Sequence, residues 1–343
     1  MVKKLFFNFL LSFILGVCIQ LFIQLVLNGA TPLYRKNEIA PSSEVFDHGY
    51  SYDQWLYQNY GYESFLVDPD ILHYDKTFKG NIESDFLRKK IPILCLILAD
   101  TFEGSKSIND TWGSHCNEIR FYSSKINNSS LPIIKLSVQS SFDLYCQAIR
   151  RATKDTWIFI AKERTFAVIE NLRYYLASKN ASSHYYLGHA RKFWNVNYNW
   201  KDAGIVLSPG SIDKFTTTFT SDKKCESGGR YWGNGDWYLG KNLRSLNITP
   251  IDTRDHLGKG RFNGFPMHRM IFPDGISLLD NYWQDSLYSS PIGPNCCSNH
   301  AITFHGLISN GKLHQNYYFF YKLRSLPAGG KIGNVPPTRQ ISS

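Results

Sequence analysis

The sequence predicts an α/β domain, a mostly parallel sheet with helices on both faces, behind an N-terminal transmembrane helix. Three observations predict it. From residue 91 onward, apolar strand-like runs alternate with helical patterns, the order that builds a parallel sheet covered on both sides. One such run, "WIFI" at 157–160, is followed after Ala161 by three consecutive charges, Lys162, Glu163 and Arg164. In open α/β sheets the loop past the carboxyl end of a central strand is where ligands sit, so any chemistry is expected to face these side chains. The third observation is residues 5–27, "LFFNFLLSFILGVCIQLFIQLVL", which carry no charge.

At about 1.5 Å per residue, residues 5–27 are long enough for the roughly 30 Å of bilayer hydrocarbon. A cleaved signal peptide would have an apolar region of about 7 to 15 residues and a small-x-small cleavage site, which "LNGA" does not offer. An uncleaved signal anchor is predicted, with 1–4 as a cytosolic tail. Lys3 and Lys4 before the span orient the bulk of the chain to the lumen, type II topology, although Arg35 and Lys36 reduce the asymmetry. Residues 28–90 show little periodicity and form a stem. Its "HGYSYDQWLYQNYGYESF" is too aromatic for a disordered linker, so these rings are expected to pack on the main domain or on a second copy in a homodimer.

Within 91–326 the expected elements follow in order. They are strand "IPILCLIL", helix around 106–116, strand "EIRFYSS", helix "SFDLYCQAIRRA" and strand "WIFIA". Then Thr165 serves as N-cap of a helix whose face is Phe166, Ile169, Leu172, Arg173 and Leu176. Strands "YYLGHA" and "AGIVLS" and helices "PGSIDKF" and "DWYLGKNL" complete the pattern. Residues 327–343 read as a disordered tail.

The net charge of +10 would suit nucleic acid in a cytosolic protein. Behind a membrane anchor it suits anionic ligands such as nucleotide diphosphates, or a solvated surface, and no nucleic-acid partner is expected. Six cysteines lie outside the span: Cys95, Cys116, Cys146, Cys225, Cys296 and Cys297. They are compatible with three disulfides in an oxidising compartment, in pairings the spacing does not resolve. Sequons at Asn109, Asn127, Asn128, Asn180 and Asn247 agree with a lumenal location. No cysteine or histidine cluster has zinc spacing, and neither GxGxxG nor GxxxxGK[ST] occurs.

Several strings together resemble one family. They are "DTWGSHC" at 110–116, "WIFIAKERTFAVIENLRYYL" at 157–176, "AGIVLS" at 203–208, "TRDHLGKGRF" at 253–262 and "GPNCCSNHAITFHGL" at 293–307. They are similar to the core 1 β1,3-galactosyltransferase family, with the vicinal cysteines and the following Phe-His the most specific part. The resemblance implies a GT-A-like domain in the Golgi (or ER) membrane, a UDP-galactose donor, a GalNAc-O-Ser/Thr acceptor on a glycoprotein, Mn2+ and an inverting transfer. The family also includes a non-catalytic chaperone that helps a homologous galactosyltransferase fold.

An inverting transfer needs a carboxylate to take the acceptor proton and a counter-charge for the departing diphosphate. The resemblance puts the base at Asp236 in "GNGDWYLGKNL", with Gly235 where a first acid would stand; without catalysis Asp236 is a helix-start acid favoured by the macrodipole. His305 matches the family's metal-ligating histidine. Lys162 and Arg164 occupy the outer positions of the acidic metal motif, leaving Glu163 as its one acid. A cation about 4 Å from a divalent metal is repelled by roughly 8 kcal/mol at an effective dielectric near 20, so this loop disfavours the metal. Lys201 and Asp202 stand where the enzymes carry small glycines near the donor, and crowd it. Trp283 in "NYWQDSLYSS" is similar to the aromatic acceptor region, with core packing as the plain alternative. Asn242 occupies an expected cysteine position, and Cys146, an additional cysteine, is expected to supply the replacement partner. Two readings follow. Either Lys162 and Arg164 replace the metal and neutralise the diphosphate while Asp236 acts as base, or the site is retired and the domain is a folding partner.

Overall fold

The computed structural model describes residues 15–16, 19–20, 52–60, 83–126, 130–153, 155–229, 233–272, 281–306 and 309–323. Its strands are β1 (Ile93–Leu98), β2 (Glu118–Ser123), β3 (Ile133–Lys135), β4 (Trp157–Lys162), β5 (Thr165–Ala167), β6 (Tyr186–Gly188), β7 (Ala190–Phe193), β8 (Val196–Asn199), β9 (Ile205–Leu207), β10 (Phe262–Asn263) and β11 (Thr303–His305). Its helices are α1 (Tyr52–Tyr60), α2 (Glu83–Lys90), α3 (Phe102–Asn109), α4 (Ser141–Arg150), α5 (Ile169–Leu176), α6 (Pro209–Thr218), α7 (Asp222–Ser227), α8 (Gly235–Ser245), α9 (Met267–Ile271), α10 (Asn281–Gln284) and α11 (Asn310–Tyr317).

A six-stranded sheet in the order β3-β2-β1-β4-β9-β6 forms the frame. β1 pairs in parallel with both β2 and β4, whereas β9 runs antiparallel to β4 and β6. The parallel part is as the sequence predicts. The antiparallel edge arises because an antiparallel pair needs no helical crossover. Between β6 and β9 the chain makes only the β7–β8 hairpin and a 3-10 turn, Lys201–Ala203.

β1 explains why both faces are covered. Its alternate residues Ile93, Cys95 and Ile97 enter one core with Trp112, Phe159 and Leu172, while Leu94, Leu96 and Leu98 enter the other with Phe142, Tyr145 and Leu239. A strand buried on both sides reads as a continuous apolar run. Tyr52 and Leu56 of α1 join the first core, and the Tyr52 ring lies 4.4 Å from that of Tyr174 on α5. The described part of the aromatic segment, Tyr52–Tyr60, thus packs on the main domain.

Thr165 is a correction. It does not cap a helix: Thr165–Ala167 forms β5 and pairs antiparallel with β11, Thr165 opposite His305. Local cap chemistry yields here to tertiary pairing, since the buried Trp112 Nε1 also donates to the Thr165 carbonyl at 3.0 Å. The helix starts at Ile169, and Ile169, Leu172, Arg173 and Leu176 are its buried face.

The disulfides are Cys95–Cys116, Cys146–Cys225 and Cys296–Cys297. Cys146 on α4 pairs with Cys225. Asn242 on α8 instead donates to the carbonyls of Gly228 (3.0 Å) and Tyr238 (2.9 Å), holding α8 to the end of α7 by a hydrogen bond. Of the sequon asparagines, Asn180 and Asn247 are exposed, Asn109 is half-buried, and Asn127 and Asn128 lie outside the described residues. So do the tail at 327–343 and all but four residues of 5–27. Among the described residues no helix is long and apolar enough to cross a membrane.

Candidate active site

From β1 the chain moves outward to β2 and β3, then returns on the other side as β4. The ends of β1 and β4 therefore diverge, and the crevice between them is the topological switch point where open α/β sheets bind ligands. Asp100 and Thr101 leave β1 there, and Lys162, Glu163 and Arg164 leave β4.

The three charges after β4 have different fates. The Glu163 carboxylate folds across the crevice and accepts from the backbone N–H groups of Asp100 (2.8 Å) and Thr101 (2.7 Å) and the hydroxyls of Thr101 (2.9 Å) and Ser105 (3.1 Å). It neutralises donors at the start of α3, where an anion is favoured. The approach is close: a Cβ on Gly104 would lie 2.6 Å from its Oε2. Lys162 points to Asp202, with Nζ 3.4 Å from Oδ1. Arg164 is exposed, and its carbonyl accepts from the Gly306 N–H at 3.1 Å.

Asp202 is shared. Its Oδ1 also lies 3.6 Å from His305 Nε2, while His305 Nδ1 is 2.9 Å from the Thr165 hydroxyl. Burial pushes the His305 imidazole down to about 4; Asp202 opposes this, and Lys162 and Arg164 add to it. The ring is therefore neutral at pH 7. Beside Asp202, the Lys201 N–H donates to Asp236 Oδ2 at 3.0 Å, and the Lys201 ammonium lies 4.0 Å from Oδ1. Asp236 sits in the first turn of α8 and is 2 % exposed. Burial raises its carboxyl above the usual range against the opposing Lys201 charge and the N–H groups of Lys201 and Trp237. A raised carboxylate is a stronger proton acceptor once ionised.

The turn Lys201–Ala203 is thus the hub that joins Asp236 to Lys162 and His305. Sequence reasoning gave these two residues only a crowding role. The available signal was a charged pair set directly before a buried strand, the counterpart of the charges that follow β4. Gly204 closes the hub at φ +82°, where a Cβ would lie 2.7 Å from the Phe159 ring. Trp283 belongs to a neighbouring aromatic cluster, its ring 4.6 Å from Tyr282 and 6.0 Å from Phe265. Trp200, directly before Lys201, packs on the same Tyr282 at 5.5 Å and connects this cluster to the hub.

Glycoprotein-N-acetylgalactosamine 3-beta-galactosyltransferase 1 of Xenopus laevis is 30 % identical to this chain over 261 residues, 72 % of this chain and 71 % of the relative. The chain belongs to the core 1 β1,3-galactosyltransferase family. No family model matches it. The solved galactosyltransferase LgtC, in complex with donor and acceptor sugar analogs, covers 67 % of this chain and 97 % of its own at a TM-score of 0.34 and 8 % identity, too slight a likeness to carry an argument.

Against the core 1 family, two departures have structural causes. At Gly235, where the resemblance expects an acid, a Cβ would lie 2.5 Å from the Ser141 hydroxyl, so the start of α4 fills that space. The second concerns manganese, which prefers carboxylate and imidazole ligands. Glu163 already meets four donors, and Asp202 meets an ammonium. Among the described residues no group of three His, Cys, Asp or Glu side chains could hold a metal ion. His305 and Asp202 remain as two donors beside two cations, and these residues do not fit a divalent ion.

Proposed function

We propose that this protein transfers galactose from UDP-galactose to the GalNAc of O-linked glycoproteins with inversion, forming the β1,3 linkage of core 1. The observation that carries the proposal is the position of Asp236. A buried carboxylate, raised by desolvation and fixed by the Lys201 N–H, stands one turn of chain from the cationic end of β4. An acceptor hydroxyl placed at Asp236 would lose its proton to the carboxylate as its oxygen attacks the anomeric carbon. The bond to the UDP oxygen breaks on the opposite face, and the electron pair leaves with the diphosphate. Family membership and the switch-point crevice support a GT-A-like domain with the donor over the ends of β1 and β4. Trp283 and its aromatic neighbours would offer an apolar face to the acceptor sugar.

The cysteine pairs, the exposed Asn180 and Asn247 and the apolar run at 5–27 support a single-pass type II protein working in the Golgi or ER lumen. The test is galactose transfer from UDP-galactose to a GalNAc-peptide by the full chain in detergent. Turnover that falls by about 10²- to 10⁴-fold in Asp236→Asn supports the base assignment. A chain that neither turns over nor binds UDP, yet co-purifies with a homologous transferase, would show the chaperone role instead.

A further inference from the structure

We propose that this site binds the diphosphate of its nucleotide donor without a divalent ion, the Lys162 ammonium and the Arg164 guanidinium supplying the positive charge. The inference rests on the donor reading above and deepens it. Four features of the crevice lead to it.

First, the one acid in the loop is used elsewhere. Glu163 accepts from the Asp100 and Thr101 N–H groups and two hydroxyls, and withdrawing it would take the acceptor away from these donors at the start of α3. Second, Lys162 is presented rather than buried: a third of its side chain is exposed, and Asp202 at 3.4 Å engages one side of the ammonium. An ammonium has three donors, so the others remain available to phosphate oxygens. Third, Arg164 stands two residues on, exposed, with its backbone fixed by the Gly306 N–H. Its guanidinium can take phosphate oxygens in a bidentate manner that lysine cannot. Fourth, the Asp202 oxygen that anchors Lys162 also lies 3.6 Å from His305 Nε2, so Lys162 is held by a shared contact and not by an acid of its own. Lys201 is occupied separately with Asp236.

The geometry also excludes the simplest alternative, a metal that draws Asp202 and His305 as ligands. It would have to displace the Lys162 ammonium from Asp202 and remain beside it, a like-charge contact that low-dielectric surroundings make worse. A diphosphate, by contrast, carries the charge opposite to both cations, and meeting the open side of Lys162 does not require Asp202 to be displaced.

Calorimetric titration of the full chain with UDP, in EDTA and in MnCl2, tests the proposal. The expected result is binding in EDTA, unchanged within about threefold by manganese and weakened about 10- to 100-fold in Lys162→Ala or Arg164→Ala, as loss of a charge-assisted hydrogen bond predicts. Lys162→Arg should recover most of the loss, and an unchanged melting temperature in each variant shows that folding is intact. UDP binding that requires manganese, or that survives both alanine substitutions, overturns the metal-free site while leaving the transfer reading in place. Absence of UDP binding in both buffers overturns the two together.

Discussion

Two histidine–carboxylate pairs in this molecule look alike in composition and differ in how completely they are satisfied. Near α5, His115 Nδ1 lies 2.7 Å from Glu170 Oε1 and its Nε2 lies 3.1 Å from the Tyr317 hydroxyl. The Tyr321 hydroxyl donates to Glu170 Oε2 at 2.7 Å and accepts from the Ile169 N–H at 3.2 Å. The buried Arg173 completes the group, donating to the His115 carbonyl and to Asn117 at 2.8 Å. Both ring nitrogens and both carboxylate oxygens are engaged, and the result ties Tyr317 of α11 and Tyr321 beyond it to α5 and to the turn Trp112–His115 before β2. At the crevice His305 Nδ1 also keeps a 2.9 Å contact with the Thr165 hydroxyl, but its Nε2 at 3.6 Å and the Lys162 ammonium at 3.4 Å share a single oxygen of Asp202. The first pair spends its hydrogen-bonding capacity on the fold, and the second leaves part of its capacity unspent. Incomplete satisfaction next to a switch point, more than residue type, distinguishes a site from a fastening.

Substitutions separate the two regions. The largest expected effect is in Glu170→Ala, which strands the Tyr321 hydroxyl and His115; loss of about 2 to 3 kcal/mol in urea unfolding is expected, with UDP affinity unchanged. If UDP affinity falls in step with stability, the two regions are not separable.

Acid provides a second test. Burial pushes the Glu170 carboxyl up, but His115 and Tyr321 outweigh it and hold the group below its usual value. A depressed carboxylate contributes stability above its unfolded pKa and loses it as pH falls through the folded one. The tie to α11 should therefore weaken as pH falls through the lowered Glu170 value, seen as faster hydrogen exchange at 310–322, and Glu170→Gln should remove that pH dependence.

The smallest effect is expected on the other side. Lys162→Ala should shift stability by less than about 1 kcal/mol, because a partly exposed ion pair at 3.4 Å contributes little to folding. A larger loss would mean that Lys162 is structural and would weaken its role at the donor.

What the sequence made legible follows the same division. β1, β2, β4 and α4 were readable because apolar runs and helical periodicity are local signals. β5 was not: a three-residue strand is defined by its partner β11 some 140 positions away, as the contact between Thr165 and His305 marks. At the site, Asp236 and His305 could be singled out through family strings, and the charge reversal at Lys162 and Arg164 was plain in the letters. The fate of Glu163 was not, because its donors lie on another strand's exit, 62 and 63 residues back. The role of Lys201 and Asp202 as a hub likewise needed the fold, since only the antiparallel return of β9 brings that turn over the end of β4.

The Cys146–Cys225 pair has a topological consequence. Residues 162, 164, 201 and 202 all lie on the stretch that it closes between cysteines 79 positions apart, whereas Asp236 and His305 lie beyond it. The cationic half of the crevice is therefore carried on a covalent ring and Asp236 on an open chain. A single backbone cut in the ring would leave the polypeptide in one piece until the cystine is reduced, while a cut between 225 and 236 would sever the two halves at once.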